Sequence, residues 1–155
     1  MTKIESSIAG SEKLTGIFGY WPSFHDAEVH ELHFLRGDVN PEKGVYKFPI
    51  LTLKIHLWAL TNEIDSKGFY VLRNHTLTTL KFEDVMEFEM RGFNHQNAML
   101  SLSIKENPPR KGGLPCFAVT ITEAFGMGAS FECSRIEVVE ASPSTPEGQL
   151  LPPSN

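Results

Sequence analysis

The sequence predicts an α+β protein that leans mainly β, with an antiparallel sheet of about six to eight strands and one or two short helices. Apolar and polar residues alternate in several runs, which is typical of strands with one buried face. Polar loops rich in Gly, Asn and Pro separate these runs. The length of 155 residues leaves room for one domain with a hydrophobic core.

The first helix is predicted near residues 11–19. Ser11 is a favourable N-cap residue, and Gly19 is typical of a helix end. In this helix Ile17 and Phe18 are expected to face inward.

The clearest strand signal lies in residues 45–60, VYKFPILTLKIHLWAL. There, the apolar residues Leu51, Leu53, Ile55 and Leu57 alternate with Thr52, Lys54 and His56. An earlier strand is expected in AEVHELHFL, and later ones in HTLTTLKFEDVMEFEM, NAMLSLSIKE, FAVTITEAF and SFECSRIEVVE. The first of these later runs predicts two strands around a tight connection, or one strand with a bulge.

We expect residues 1–140 to form a single globular domain and residues 141–155, rich in Pro and Ser, to form a flexible tail. The N-terminal residues contain no apolar run typical of a signal peptide, and no segment has the apolar length of a membrane span. A cytoplasmic protein without membrane contact is therefore expected. Cys116 and Cys133 are expected to be buried free thiols, although a disulfide between them stays open.

The formal charge of −5 comes from 14 basic and 19 acidic residues. This balance argues against direct binding of nucleic acid, which needs cationic side chains against the phosphates. It suits a basic protein partner, because complementary charge accelerates association.

Three histidines follow one another closely in FGYWPSFHDAEVHELHF, residues 18–34. His25 and Asp26 are the pair that a metal-dependent phosphohydrolase would use. His30 and His33 point to opposite faces of a regular strand, so they cannot share one ion unless a bulge intervenes. We predict no metal site and no cofactor here. A turn closed by His25 and Asp26 is the favoured interpretation.

The remaining histidines, His56, His75 and His95, are expected in unrelated strand or loop contexts. The sequence contains no G-x-S-x-G motif, and both cysteines lie in apolar strands. No catalytic residue is therefore predicted, and the protein is expected not to be an enzyme.

A second unusual stretch is RGFNHQNAML, residues 91–100. Its neutral polar cluster indicates either a polar hairpin loop or a recognition surface, since loops on a rigid sheet commonly carry binding residues.

Four blocks in order, FGYWPSFHDAEV, IHLW, LKFEDV and GFNHQNAML, resemble the immunity protein 50 family of bacterial polymorphic toxin systems. The resemblance runs from about Ile17 to about Val139. Its most specific part is W-P-S-F-H-D-A at residues 21–27, and F-N-x-Q-N at residues 93–97 supports it.

The resemblance implies a protein that binds and neutralises a cognate toxin domain by occluding its active site. The negative charge favours a basic nuclease as that toxin. The residues expected to contact it are Glu28, Glu31, Asn94, His95 and Asn97. The motif residues expected to serve the scaffold are Trp21, Pro22, Phe24, His25, Asp26, Phe93 and Asn94.

Two alternatives stay open. One is a metal-dependent hydrolase centred on His25 and Asp26, and the other is a ligand-binding β-domain with a large apolar pocket. The sequence leaves both a monomer and a homodimer open.

Overall fold

Ten strands in three antiparallel sheets form most of the structure, a computed structural model that describes residues 3–152. Strand accounts for 57% of it, which confirms the mainly β class. The strands are β1 (Glu28–Leu35), β2 (Asp38–Asn40), β3 (Val45–Lys47), β4 (Ile50–Ile64), β5 (Tyr70–Glu83), β6 (Met86–Arg91), β7 (Met99–Asn107), β8 (Cys116–Glu123), β9 (Gly128–Cys133) and β10 (Arg135–Pro143).

The single α-helix of the described residues, α1 (Glu12–Phe18), lies where the sequence predicts it. Ser11 precedes it but makes no side-chain cap, whereas Gly19 ends it in the left-handed conformation, with φ of 82°. Leu14 and Phe18 are its buried residues, so its apolar side packs against the core. Two short 3-10 helices, Ile4–Ser7 and Pro41–Lys43, accompany it. None of the helices in residues 3–152 is long and apolar enough to cross a membrane.

The first four-stranded sheet has the order β1-β4-β5-β10. Strand β4 lies at its centre, and the predicted alternation is confirmed because Leu51, Leu53, Ile55 and Leu57 are all buried. Ala9 extends the sheet past β10, since its N–H donates to the Ile136 carbonyl at 2.9 Å.

The second four-stranded sheet has the order β6-β9-β8-β7. A tight turn at Asp84, with φ of 57°, separates β5 from β6 and carries the chain from one sheet to the other. The buried faces of both sheets meet in one hydrophobic cluster, where the rings of Phe82 and Phe131 lie edge to face at 5.0 Å. Strands β2 and β3 form a small separate sheet.

The hairpin of β4 and β5 extends beyond its neighbours. Strand β1 pairs with β4 only as far as His56, and β10 pairs with β5 only from Thr76. Residues 57–75, which we call the arm, therefore form a two-stranded ribbon. Residues 61–68, TNEIDSKG, have the polar composition typical of a loop, but β4 continues through Ile64 before the chain turns.

Strand β10 runs through Pro143, past the predicted domain boundary at residue 140. Ser144 then forms a bridge with Leu150, and Gly148 closes the turn between them with φ of 84°. This C-terminal turn packs over β1 and β4. Gly148 lies so close to them that a Cβ atom placed on it would be 3.0 Å from Cγ of His56.

Candidate functional site

The motif loop, residues 20–27, turns sharply between α1 and β1. Phe24 and Asp26 both have positive φ, 60° and 67°. Backbone hydrogen bonds hold them there: Asp26 N–H donates to the Met99 carbonyl at 2.9 Å, and Met99 N–H donates to Ala27 at 2.9 Å. The loop is thus attached to the start of β7 rather than to β4.

The apolar residues of the motif anchor this loop. Pro22 is buried, and Phe24 is only 3% exposed despite its unusual backbone conformation. The ring of Trp21 packs against that of Phe24 at 5.6 Å. Burial of these side chains supplies the free energy that offsets the strained backbone.

His25 and Asp26 are exposed on the outer side of the loop. Because a carbonyl oxygen only accepts, Nδ1 of His25 donates to the Leu100 carbonyl at 2.9 Å. Nε2 of the same ring lies 3.7 Å from the Asp26 carboxylate. Within residues 3–152, no group of three His, Cys, Asp or Glu side chains is arranged to hold a metal ion.

Asn97 organises the second stretch. Its Nδ2 donates to the carbonyls of Val29 at 3.1 Å and Asn94 at 2.8 Å, and its Oδ1 accepts from the N–H groups of Asn94 and Met127. With only 3% of its surface exposed, Asn97 has no free side chain for a partner. Its expected role as a partner contact does not fit this geometry, since its amide joins the loop to β1.

The loop that Asn97 supports presents Phe93, Asn94 and His95 to solvent. Together with Glu28 and His30 of β1, Asn94 and His95 line a depression of about 270 Å³, which we call the polar hollow. The structure therefore brings together Glu28, Asn94 and His95, three of the predicted partner contacts.

Glu31 lies outside the polar hollow. Its carboxylate accepts from Nζ of Lys54 at 2.9 Å across the β1–β4 pair, and this bond and the charge of Lys54 lower the pKa of Glu31. Both side chains stay exposed, so the pair is weak and leaves Glu31 accessible.

A depression of about 340 Å³ lies on the other side of the motif loop, against the arm. We call it the notch, and its walls are mainly apolar: Tyr20, Pro22, Phe24, Trp58, Leu60 and Leu72. His25 and Asp26 also line it. The notch was not predicted from the sequence, although Leu60 and Ile64 continue the alternation of β4 into the polar stretch of residues 61–68 and could have indicated it.

A histidine cluster, His30, His56 and His75, lies next to the polar hollow. Nε2 of His56 is 3.1 Å from Nδ1 of His75, and the rings of His30 and His56 are 5.8 Å apart. The expectation that His56 and His75 lie in unrelated contexts is wrong. His56 pairs with Leu77, so His75, two residues before Leu77 on β5, lies on the same face of the hairpin as His56.

Burial lowers the pKa of His56 from 6.5 to about 4, and the neighbouring His75 and His30 act in the same direction, while Glu147 opposes them. Burial also lowers the pKa of His75. Both rings are therefore neutral at pH 7.

Cys116 and Cys133 are buried free thiols, as the sequence predicts. Burial raises the pKa of Cys133 to about 12, so this thiol is protonated and unreactive at neutral pH.

These features define a mainly β protein in which two four-stranded sheets carry exposed loops beside the notch and the polar hollow. The model of the family described as Immunity protein 50 matches residues 10–144, most of the chain. The chain belongs to this family, which confirms the resemblance and indicates an immunity protein with a toxin as its binding partner. Comparison with curated proteins and with solved structures found no match.

Proposed function

We propose that this protein binds the toxin domain encoded beside its own gene and neutralises it by covering the toxin's active site. The observation that carries the proposal is the family match over residues 10–144. In this proposal the protein acts in the cytoplasm, without a cofactor and without contact to nucleic acid or membrane.

The architecture supports binding by preformed surfaces. The motif loop and the loop of residues 92–97 are both tied to the start of β7 or to β1 by backbone and amide hydrogen bonds. Loops held in this way lose little conformational entropy when a partner binds, which favours high affinity.

The polar hollow supplies groups suited to a polar part of the partner. Glu28 offers a carboxylate, and Asn94 and His95 offer neutral hydrogen-bonding groups beside it. Glu31 adds a second carboxylate on the same strand. A typical stable interface covers about 800 Å² on each partner, so contact would extend beyond this hollow alone.

The net charge of −5 favours a basic toxin, and a nuclease is the class of toxin whose own substrate demands a basic surface. Complementary charge raises the association rate constant and makes it fall with ionic strength. The complex is expected to contain one immunity protein for each toxin domain.

Co-expression tests this function directly. Cells that produce the toxin domain encoded beside the gene are expected to survive when this protein is co-expressed and to die when it is absent. Cell death in the presence of soluble, folded protein would contradict the proposal.

Contacts at the polar hollow are tested by the double variant Glu28→Gln with His95→Ala. The double variant is expected to bind the toxin about tenfold more weakly. The control is Glu42→Gln, because Glu42 is an exposed acidic residue in the 3-10 helix between β2 and β3, and this variant is expected to leave the affinity unchanged. Equal affinity of the double variant and this control would remove the polar hollow from the interface.

A further inference from the structure

We infer that the free edge of β4 and the notch beside it form a docking site for an extended segment of the toxin domain, which adds as a strand to the arm. The inference rests on the proposed function and specifies its geometry. Three independent features carry it: an open strand edge, an apolar surface in register with that edge, and the charge of the notch.

The open edge results from the path of the motif loop. Strand β1 covers β4 as far as the pair Glu28 and His56. Ahead of Glu28 the chain leaves β4, because Asp26 and Ala27 exchange backbone hydrogen bonds with Met99 instead. Within residues 3–152, the part of β4 from Leu57 to Ile64 has β5 as its only ladder partner.

An edge of this kind presents backbone N–H and C=O groups at the spacing that an added strand requires. Main-chain hydrogen bonds would supply affinity with little dependence on sequence. Selectivity must then come from the side chains that flank the edge.

The side chains beside the edge form an apolar strip. Leu60 lies opposite Leu72, and Ile64 lies opposite Tyr70, so that all four share one face of the arm. Leu60 is 66% exposed and Ile64 is 63% exposed. Leu60 and Leu72 also line the notch, so the strip continues into it.

The opposite face of the arm differs. Arg73 donates to Glu63 in an ion pair, and Thr61 donates to the Val71 carbonyl at 2.6 Å. The arm is therefore amphipathic, with an unpartnered apolar face that leads into the notch. An extended segment that pairs with β4 would place alternate side chains on this face and one of them in the notch.

Charge identifies the occupant. Apart from His25, Asp26 is the one acidic or basic side chain among the described residues that line the notch. A toxin segment with an Arg or Lys next to a large apolar residue fits both features. A second copy of this chain fits less well, because each copy carries a charge of −5 and the two would repel.

The test uses the full chain and a catalytically inactive form of the toxin domain encoded beside its gene. Affinity is measured by titration calorimetry for the wild type, Leu60→Glu, Asp26→Asn and the control Leu35→Glu. Leu35 is 63% exposed, close to the value for Leu60, but it lies at the far end of β1. Circular dichroism establishes that each variant is folded.

Leu60→Glu is expected to weaken binding by about 30-fold or more, and Asp26→Asn by about 5-fold to 10-fold, because a charged group enters an apolar contact or a charge pair is lost. Leu35→Glu is expected to stay within about twofold of the wild type. Hydrogen exchange provides a backbone measurement, in which amides of residues 57–64 are expected to gain protection when the toxin binds.

The outcomes separate this inference from the proposed function. If the wild type binds and Leu60→Glu binds equally well, the docking site is wrong while the proposed function stands. If the wild type does not bind, both are wrong. If the wild type is a dimer in the absence of toxin and Leu60→Glu is a monomer, a second copy of the chain occupies the docking site, which overturns the inference. Protection that appears only outside residues 57–64 also overturns it.

Discussion

The notch and the polar hollow flank the same stretch of chain, the motif loop and the start of β1, but different interactions build them. Apolar side chains and an unpaired strand edge form the notch. The hollow lies on a hydrogen-bonded network centred on the buried Asn97, beside the histidine cluster. We expect substitutions of exposed notch residues to change toxin binding with little effect on the stability of the fold. Substitutions of the buried groups beneath the polar hollow are expected to lower the stability of the fold as their main effect.

Asn97→Ala is expected to give the largest loss of stability. Removal of the amide leaves buried backbone groups of Val29 and Met127, and partly buried ones of Asn94, without their partner, which lowers the free energy of unfolding by about 3 to 4 kcal/mol. Urea denaturation measures this change. Asn94→Ala is the control, since its exposed partners can bind water and the expected loss is about 1 kcal/mol or less. Equal losses for the two variants would disprove the central role of Asn97.

The histidine cluster predicts a loss of stability in mild acid. The pKa of His56 is about 4 in the folded protein against 6.5 as its ordinary value, so above pH 6.5 the ring is neutral in both states. As the pH falls from 6.5 to 4, the unfolded state takes up a proton that the folded state does not, and stability decreases by about 3 kcal/mol at most. His75, whose pKa is also lowered, contributes in the same direction.

The measurement is the free energy of unfolding as a function of pH, with His56→Gln beside the control His33→Gln. His56→Gln is expected to flatten the profile between pH 6.5 and 4. His33 is exposed on β1, and its replacement is expected to preserve the wild-type profile. A profile of His56→Gln as steep as that of the wild type would show that other groups cause the acid sensitivity.

The C-terminal turn that covers the cluster is tested by Gly148→Ala. A Cβ there would overlap Cε1 of His30, and the positive φ adds strain, so stability is expected to fall by about 2 kcal/mol. Gly44→Ala shares the positive φ but meets no atom within 4 Å, and it is expected to lose about 1 kcal/mol. Thermal unfolding compares the two. If Gly148→Ala loses no more stability than Gly44→Ala, the turn does not pack on the histidines in solution.

The smallest change in stability is expected for Leu60→Glu at the notch. Leu60 is 66% exposed, so the charge remains in water and the free energy of unfolding changes by no more than about 0.5 kcal/mol. Urea denaturation beside Leu35→Glu provides the comparison. A large loss of stability would place Leu60 among the residues that hold the arm together and weaken the distinction between the two surfaces.

Local sequence patterns were sufficient for most of the fold. The alternation through Leu51, Leu53 and Ile55 predicted the central strand, and Gly19 predicted the end of α1. The family motif predicted the anchoring of Trp21 and Phe24. These features depend on periodicity, turn chemistry and local burial, which the sequence displays directly.

The candidate site was harder to predict because it depends on tertiary pairing. The proximity of His56 and His75 requires the pairing register of β4 with β5, and the burial of Asn97 requires β1 and β7 to approach each other. The open edge of β4 exists because the motif loop pairs with Met99 instead. No spacing within a single segment reveals such contacts, which join residues distant in the chain.

Titration calorimetry of the wild-type protein with the inactive toxin domain measures the proposed complex itself. We expect a complex of one immunity protein with one toxin domain, with a Kd of about 10 nM or below and an association rate that falls as ionic strength rises. Absence of binding between the two folded proteins would contradict the proposed function.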